Sequence, residues 1–346
     1  MATQDSSAER YIPLPNPESS LWHRVTCCIS IWIFKLFVTT AITASHFPLI
    51  SGLPWLPYNP PTFTKVYEQG LTNRVFVPKS WKSGDPLLPL YIDIHGGGFC
   101  LCSPHIDDRT CTELSNNNNL LVVSLDYRKA PTNPYPAAVN DLIKAINSVL
   151  DDESMPFDRK KVAVGGFSAG ANLSLAVCQD ESLQGKIGGI ISFYAPVDWS
   201  TTTPDKLLTR PSNAGKDALE NSAPWFNWAY VNVGQNLKDS MLSPLYAPSN
   251  KLPPKIYFLG CEFDMLCKES ELLAERLAKE RSGEDIAPGD VWEKGGIKWE
   301  KILGEGHGFD ASPALGEKKV RVEKRRKEML ESAAAWLFKE VYVSKI

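Results

Sequence analysis

Short apolar runs of the kind buried on both faces of a parallel sheet recur along this chain. Between them lie stretches whose apolar residues return every three or four positions. Arg74–Val77, Leu88–Ile94, Leu120–Leu125, Lys161–Val164, Gly189–Phe193, Lys255–Leu259 and Lys298–Leu303 read as strands. Ala137–Leu150, Ala169–Cys178, Glu269–Arg281 and Lys318–Val343 read as helices, and Asn116–Asn119 as a short polar loop. This alternation predicts an α/β fold, a mostly parallel central sheet with helices on both faces.

Two stretches break the rhythm. Asp198–Asn250 is rich in Thr, Pro, Ser and Trp and reads as an inserted cap. The first sixty residues form a Pro-rich preamble that closes on Pro54, Pro57, Pro60 and Pro61. The expected organisation is therefore an N-terminal segment at 1–60 and a main domain at 61–346, with the cap inserted at about 198–250. Within the preamble, Val25–Phe47 is about long enough to span a bilayer, but Lys35 sits near its middle. A lysine at that depth costs roughly 2.5–3.5 kcal/mol on insertion scales. Two readings stay open: a buried or lid-forming amphipathic helix, and a segment that spans or lies on a membrane. The polar opening residues do not match a secretory leader. At the other end, Ser344-Lys345-Ile346 is one conservative step from the Ser-Lys-Leu peroxisomal address, against which stands a plain solvated tail.

Composition narrows the picture modestly. With 346 residues, 43% of them hydrophobic, the chain can bury a substantial core. A net charge of -3 argues against a nucleic-acid partner, which usually demands a basic face. The eight cysteines show no zinc-type spacing and read as thiols in a reducing compartment.

The chemistry is concentrated in four places. Gly166-Phe167-Ser168-Ala169-Gly170 matches the G-x-S-x-G elbow, in which a serine sits on a sharp turn between strand and helix. Flanking glycines relieve the crowding of that turn. A serine hydroxyl needs a base, and of the five histidines His307 follows a predicted strand in a glycine-rich loop. The base in turn needs a carboxylate to fix its tautomer. Asp264, just after the strand Lys255–Leu259, is the choice, with Glu262 and Asp310 as competitors. His95-Gly96-Gly97-Gly98-Phe99 offers backbone amides that can approach a substrate oxygen unobstructed, so Gly97, Gly98 and Ala169 are the expected oxyanion donors. No Gly-Lys-Ser/Thr follows, as a phosphate loop would require, and His95 reads as a structural support of this loop.

Together these residues resemble the hormone-sensitive-lipase-like branch of the α/β-hydrolases, relatives of bacterial carboxylesterases and arylacetamide deacetylases. The likeness runs from about Leu71 to the closing helix. It is carried by HGGGF at 95–99, Asp126-Tyr127-Arg128-Lys129-Ala130-Pro131, Pro134-Tyr135-Pro136-Ala137-Ala138, the elbow with Ala171-Asn172-Leu173, Asp264-Met265-Leu266 and Gly306-His307-Gly308-Phe309. It implies a serine carboxylic-ester hydrolase for a small to medium hydrophobic ester, needing no cofactor or metal. It also implies that the residues before about 60 and Asp198–Asn250 build a helical cap, where Trp199, Trp225, Phe226 and Trp228 either line a pocket or form ordinary cap core. The chain is further similar to stand-alone hydrolases of fungal secondary-metabolite clusters. Three positions depart from the family pattern: Phe167 replaces an acidic residue, Ala171 replaces a glycine, and extra residues stand around Gly283–Gly296. Phe167 and the insertion are expected to bear on pocket shape. Three rivals share the fold: an acyltransferase using the same triad, a ligand-binding protein without turnover, and a membrane-anchored deacetylase in which Val25–Phe47 spans or lies on the bilayer. Neither the oligomeric state nor the physiological ester is legible.

Overall fold

The apolar runs pair into one nine-stranded sheet in the order β1-β2-β4-β3-β5-β6-β7-β9-β8. The strands are β1 (Phe63–Val66), β2 (Thr72–Phe76), β3 (Leu88–Ile94), β4 (Leu121–Leu125), β5 (Phe157–Phe167), β6 (Gly189–Phe193), β7 (Lys255–Cys261), β8 (Val291–Lys294) and β9 (Ile297–Ile302). This computed structural model describes residues 21–45, 59–68, 70–311 and 314–343. The C-terminal Ser344-Lys345-Ile346 and Phe47 lie outside the described residues.

From β4 through β9 the neighbours run parallel, while β1/β2, β2/β4 and β8/β9 are antiparallel. The central strands β4 and β6 are buried along their whole length, which is why their sequences are mostly apolar, with Ser124 and Ser192 the exceptions, rather than alternating. The edge strands β1 and β8 are largely exposed and carry no such signature.

The helices are α1 (Leu21–Ser45), α2 (Asp108–Asn118), α3 (Ala137–Asp151), α4 (Ala169–Val177), α5 (Thr203–Leu208), α6 (Ala223–Tyr230), α7 (Cys267–Ser282) and α8 (Gly316–Trp336). One expectation is corrected here. Asn116–Asn118 form the last turn of α2 rather than a loop, and Asn119 closes the helix in the left-handed conformation at φ 53°. A buried ion pair joins Arg74 of β2 to Asp108 at the start of α2, with Nη2–Oδ2 at 2.6 Å.

Residues 198–250 contain α5, α6 and short single turns but no strand. α1 packs against α6: Phe34 meets the Trp225 ring edge-on at 6.3 Å and the Phe226 ring at 6.4 Å. Lys35, the residue that made a membrane span costly, donates to the Ala130 carbonyl at 3.4 Å and lies over the Trp32 ring. Cys27 and Ile31 are buried on the same helix, whereas Trp22, Ile33, Leu36 and Phe37 face outward, each at least 63% exposed. Among the described residues no helix is long and apolar enough to cross a membrane. All eight cysteines are free thiols.

Candidate active site

The parallel strands deliver their C-terminal ends to one edge of the sheet, and the chemistry-bearing residues follow directly after them. β5 runs into Ser168, β7 into Asp264, β9 into His307, and β3 into the His95–Phe99 loop. At the elbow Ser168 holds φ 54° and ψ -117°, a conformation rarely tolerated outside glycine. The turn is possible because its neighbours have no side chains. A Cβ on Gly166 would stand 2.1 Å from the Ile94 carbonyl oxygen, and one on Gly170 1.8 Å from the same atom.

The structure brings the three expected side chains into one hydrogen-bonded line. His307 Nε2 lies 2.9 Å from Ser168 Oγ, and His307 Nδ1 lies 2.7 Å from Asp264 Oδ2. The other Asp264 oxygen, Oδ1, accepts from the Leu266 amide at 2.9 Å. Burial alone lowers the His307 pKa, but the adjacent Asp264 charge and hydrogen bond outweigh it and leave the imidazole above its ordinary value. Both competitors of Asp264 are engaged elsewhere. Glu262 accepts from the Gly304 amide at 2.7 Å and so pins the histidine loop, while Asp310 accepts from the Tyr194 hydroxyl at 2.7 Å.

Gly97 holds φ 113° and Gly98 φ 58°. Among the described residues the amides of Gly97, Gly98 and Ala169 donate to no backbone carbonyl, which leaves all three available to a ligand. The loop is fixed from behind by His95. Its ring stacks on Tyr127 at 4.4 Å, its Nδ1 lies 2.7 Å from the Gly96 carbonyl, and Asp126 stands 3.4 Å from Nε2. Burial and then Lys129 lower the His95 pKa, so this imidazole stays neutral and acts as a support.

Ser168 opens into a cleft. Gly98, Phe99, Met265 and Leu266 line it from the sheet side, and Trp199, Leu219, Ala223 and Phe226 from residues 198–250. Of the four aromatics singled out in this stretch, all pack against the core, and Trp199 and Phe226 also line the cleft. Phe167 and the 283–296 insertion do not shape it. Phe167 stacks on Phe193 at 4.4 Å in a separate cluster with Tyr194, whose ring meets His307 edge-on at 5.0 Å. The insertion builds β8, an edge strand remote from the cleft lining.

Sequence reasoning missed Asp217, which accepts from the Met265 amide at 2.9 Å, pairs with Arg210 at 3.2 Å and braces the loop carrying Asp264. Lone Asp and Arg residues in an irregular stretch offer no motif that would have revealed them.

The family model for the α/β-hydrolase fold matches residues 91–287. Neutral cholesterol ester hydrolase 1 of Mus musculus is 32% identical, over 77% of this chain and 84% of that protein. Carboxylic ester hydrolase LipN of Mycobacterium tuberculosis is 31% identical over 59% of this chain, and the match spans only 56% of LipN. Among solved structures, the thermostable carboxylesterase EstE1 from a metagenomic library superposes with a TM-score of 0.70 at 26% identity, covering 90% of this chain and 97% of that one. With the family model matched over more than half of the chain, elbow included, and a 32% identical ester hydrolase aligned over 77% of it, this chain belongs to the α/β-hydrolase family, in its hormone-sensitive-lipase-like branch of ester hydrolases.

Proposed function

We propose that the protein hydrolyses a small to medium hydrophobic carboxylic ester through an acyl-enzyme on Ser168. The supporting observation is the unbroken line Asp264–His307–Ser168, whose serine opens into a cleft lined in part by Phe99, Trp199, Leu219 and Phe226. His307 takes the Ser168 proton as the oxygen attacks the ester carbonyl. Asp264 supports the imidazolium, and the amides of Gly97, Gly98 and Ala169 face the developing oxyanion. The alcohol leaves with the proton from His307. Water, deprotonated by the same imidazole, then attacks the acyl-enzyme, releasing the acid and restoring Ser168. α1 and residues 198–250 act as a cap that closes the acyl and alcohol pockets. Fluorophosphonate labelling, read by mass spectrometry, is expected to modify Ser168 alone; a folded protein that neither labels nor turns over p-nitrophenyl esters from acetate to dodecanoate would sink the proposal.

The pH profile follows from His307. The base works only when neutral, and its pKa is raised, so catalysis is lost as the pH falls through that raised value. The acid limb of kcat/KM is expected above the free-imidazole value of 6.5, and a limb below it would contradict the assigned ion pair.

The outward face of α1 supports contact with a lipid surface. Its apolar stripe includes Trp22 and Trp32, α1 contains no acidic residue, and Arg24 is exposed on it. Aromatic and basic residues on one helix suit an anionic headgroup region. Co-sedimentation with anionic phospholipid vesicles is expected for the wild type and lost in Leu36→Glu/Phe37→Glu. Dimerisation through this face, seen by light scattering and abolished by the same pair, would overturn it.

A further inference from the structure

The cleft that Ser168 opens into is not uniformly apolar. Part of its wall comes from the start of α5, where Thr203 and Lys206 line it, and Asn227 of α6 joins them. Lys206 is held firmly: its ammonium pairs with Glu269 Oε2 at 2.6 Å and donates to the Asp198 carbonyl. Glu269 is itself fixed, buried on α7, with Oε1 accepting the Val197 amide at 2.7 Å and the Asp198 amide at 3.2 Å. A lysine ammonium has three protons. One is given to the Asp198 carbonyl, Glu269 Oε2 is met as an ion-pair partner, and no other acceptor among the described residues takes the rest. The Thr203 hydroxyl and the Asn227 side-chain amide likewise make no hydrogen bond to a described residue. Ordering a cation in this way within an ester pocket is costly unless a substrate group uses it.

The charge around it restricts what that group is. Asp198 also lines the cleft, its carboxylate already accepting from Ser200 and Thr201. The Lys206 charge is therefore already matched by Glu269, and with Asp198 lining the same cleft a further carboxylate on the substrate meets net repulsion. A neutral acceptor oxygen meets only an unused N–H.

We propose that Lys206, with Thr203 beside it, forms a polar subsite that receives a neutral acceptor oxygen, such as a keto or amide oxygen, carried by the ester substrate away from its scissile bond. This deepens the ester-hydrolase reading and rests on it.

The test compares matched p-nitrophenyl esters at pH 8: hexanoate against 5-oxohexanoate, heptanoate against 6-oxoheptanoate, and the adipate monoester. Each rate is normalised to that ester's hydroxide hydrolysis. Wild type is expected to favour at least one oxo ester over its alkyl partner by about tenfold or more in kcat/KM, the discrimination of one hydrogen bond to a charged donor. Lys206→Met is expected to bring that ratio close to one. Should that variant misfold because Glu269 is stranded, Lys206→Met/Glu269→Gln removes both charges and reads the same ratio. A wild-type ratio near one, a ratio unchanged in the variants, or preference for the adipate monoester would overturn the subsite while leaving alkyl-ester hydrolysis intact. Absence of turnover on every ester, alkyl ones included, would instead bring down the hydrolase reading and the subsite with it.

Discussion

Ser168→Ala is expected to lower kcat on a p-nitrophenyl ester by about 10⁶-fold, or about 8 kcal/mol of transition-state stabilisation. The size follows from the geometry. Asp264 and His307 have value for the first step only through the Ser168 oxygen that Nε2 contacts at 2.9 Å, so deleting that atom silences all three. The substitution should cost little stability. Serine already carries a Cβ at φ 54°, so alanine adds no strain to the elbow, and the turn still rests on the Ser168 amide donating to the Phe193 carbonyl at 2.9 Å. A melting temperature within a few degrees of wild type therefore accompanies the loss. The residual rate measures what the amides of Gly97, Gly98 and Ala169 contribute without a nucleophile. Retention of activity within tenfold of wild type would place the nucleophile elsewhere.

The parts of this fold legible in sequence are those where burial is two-sided. β3, β4 and β6 stand out as mostly apolar runs, each with a single buried polar residue (Asp93, Ser124, Ser192), because both faces of the sheet are covered. α2 did not, since its sequence is mostly polar and its inward face is built from Thr110, Cys111, Leu114 and Ser115 with the Arg74–Asp108 pair. The edge strands β1 and β8 were hidden for the opposite reason, their side chains being largely in solvent. The site followed the same logic. Ser168, Asp264 and His307 sit at strand ends where backbone geometry dictates glycine-marked motifs. Asp217, Lys206 and Glu269 act through contacts of long sequence separation, Glu269 reaching amides 71 and 72 positions away. Phe167 shows the limit of positional reasoning. As a departure from the family pattern it is expected to bear on pocket shape, but it does not line the cleft and instead packs on Phe193 and Tyr194, whose ring meets His307.

Asp264→Asn isolates the carboxylate's contribution while keeping its shape. Asp264 is 1% exposed and serves two donors: the Leu266 amide on Oδ1 and His307 Nδ1 on Oδ2. An asparagine can satisfy the Leu266 amide only with its carbonyl oxygen, because its NH₂ would meet that N–H donor to donor. The NH₂ is thereby turned toward His307 Nδ1. The imidazole must then accept at Nδ1, which moves its own proton to Nε2, the nitrogen that has to take the Ser168 proton. A loss of about 10⁴-fold in kcat is expected from this tautomer reversal. The imidazolium also loses the charge that holds its pKa up, leaving burial, which lowers it, unopposed by its strongest counterweight. The acid limb of kcat/KM should accordingly move to lower pH even as the plateau collapses. The two effects separate the roles of Asp264: the plateau reports the tautomer, the limb reports the charge. A variant that loses less than tenfold and keeps the wild-type limb would show that Asp264 merely packs beside the histidine, and Asp310 would become the residue to replace next.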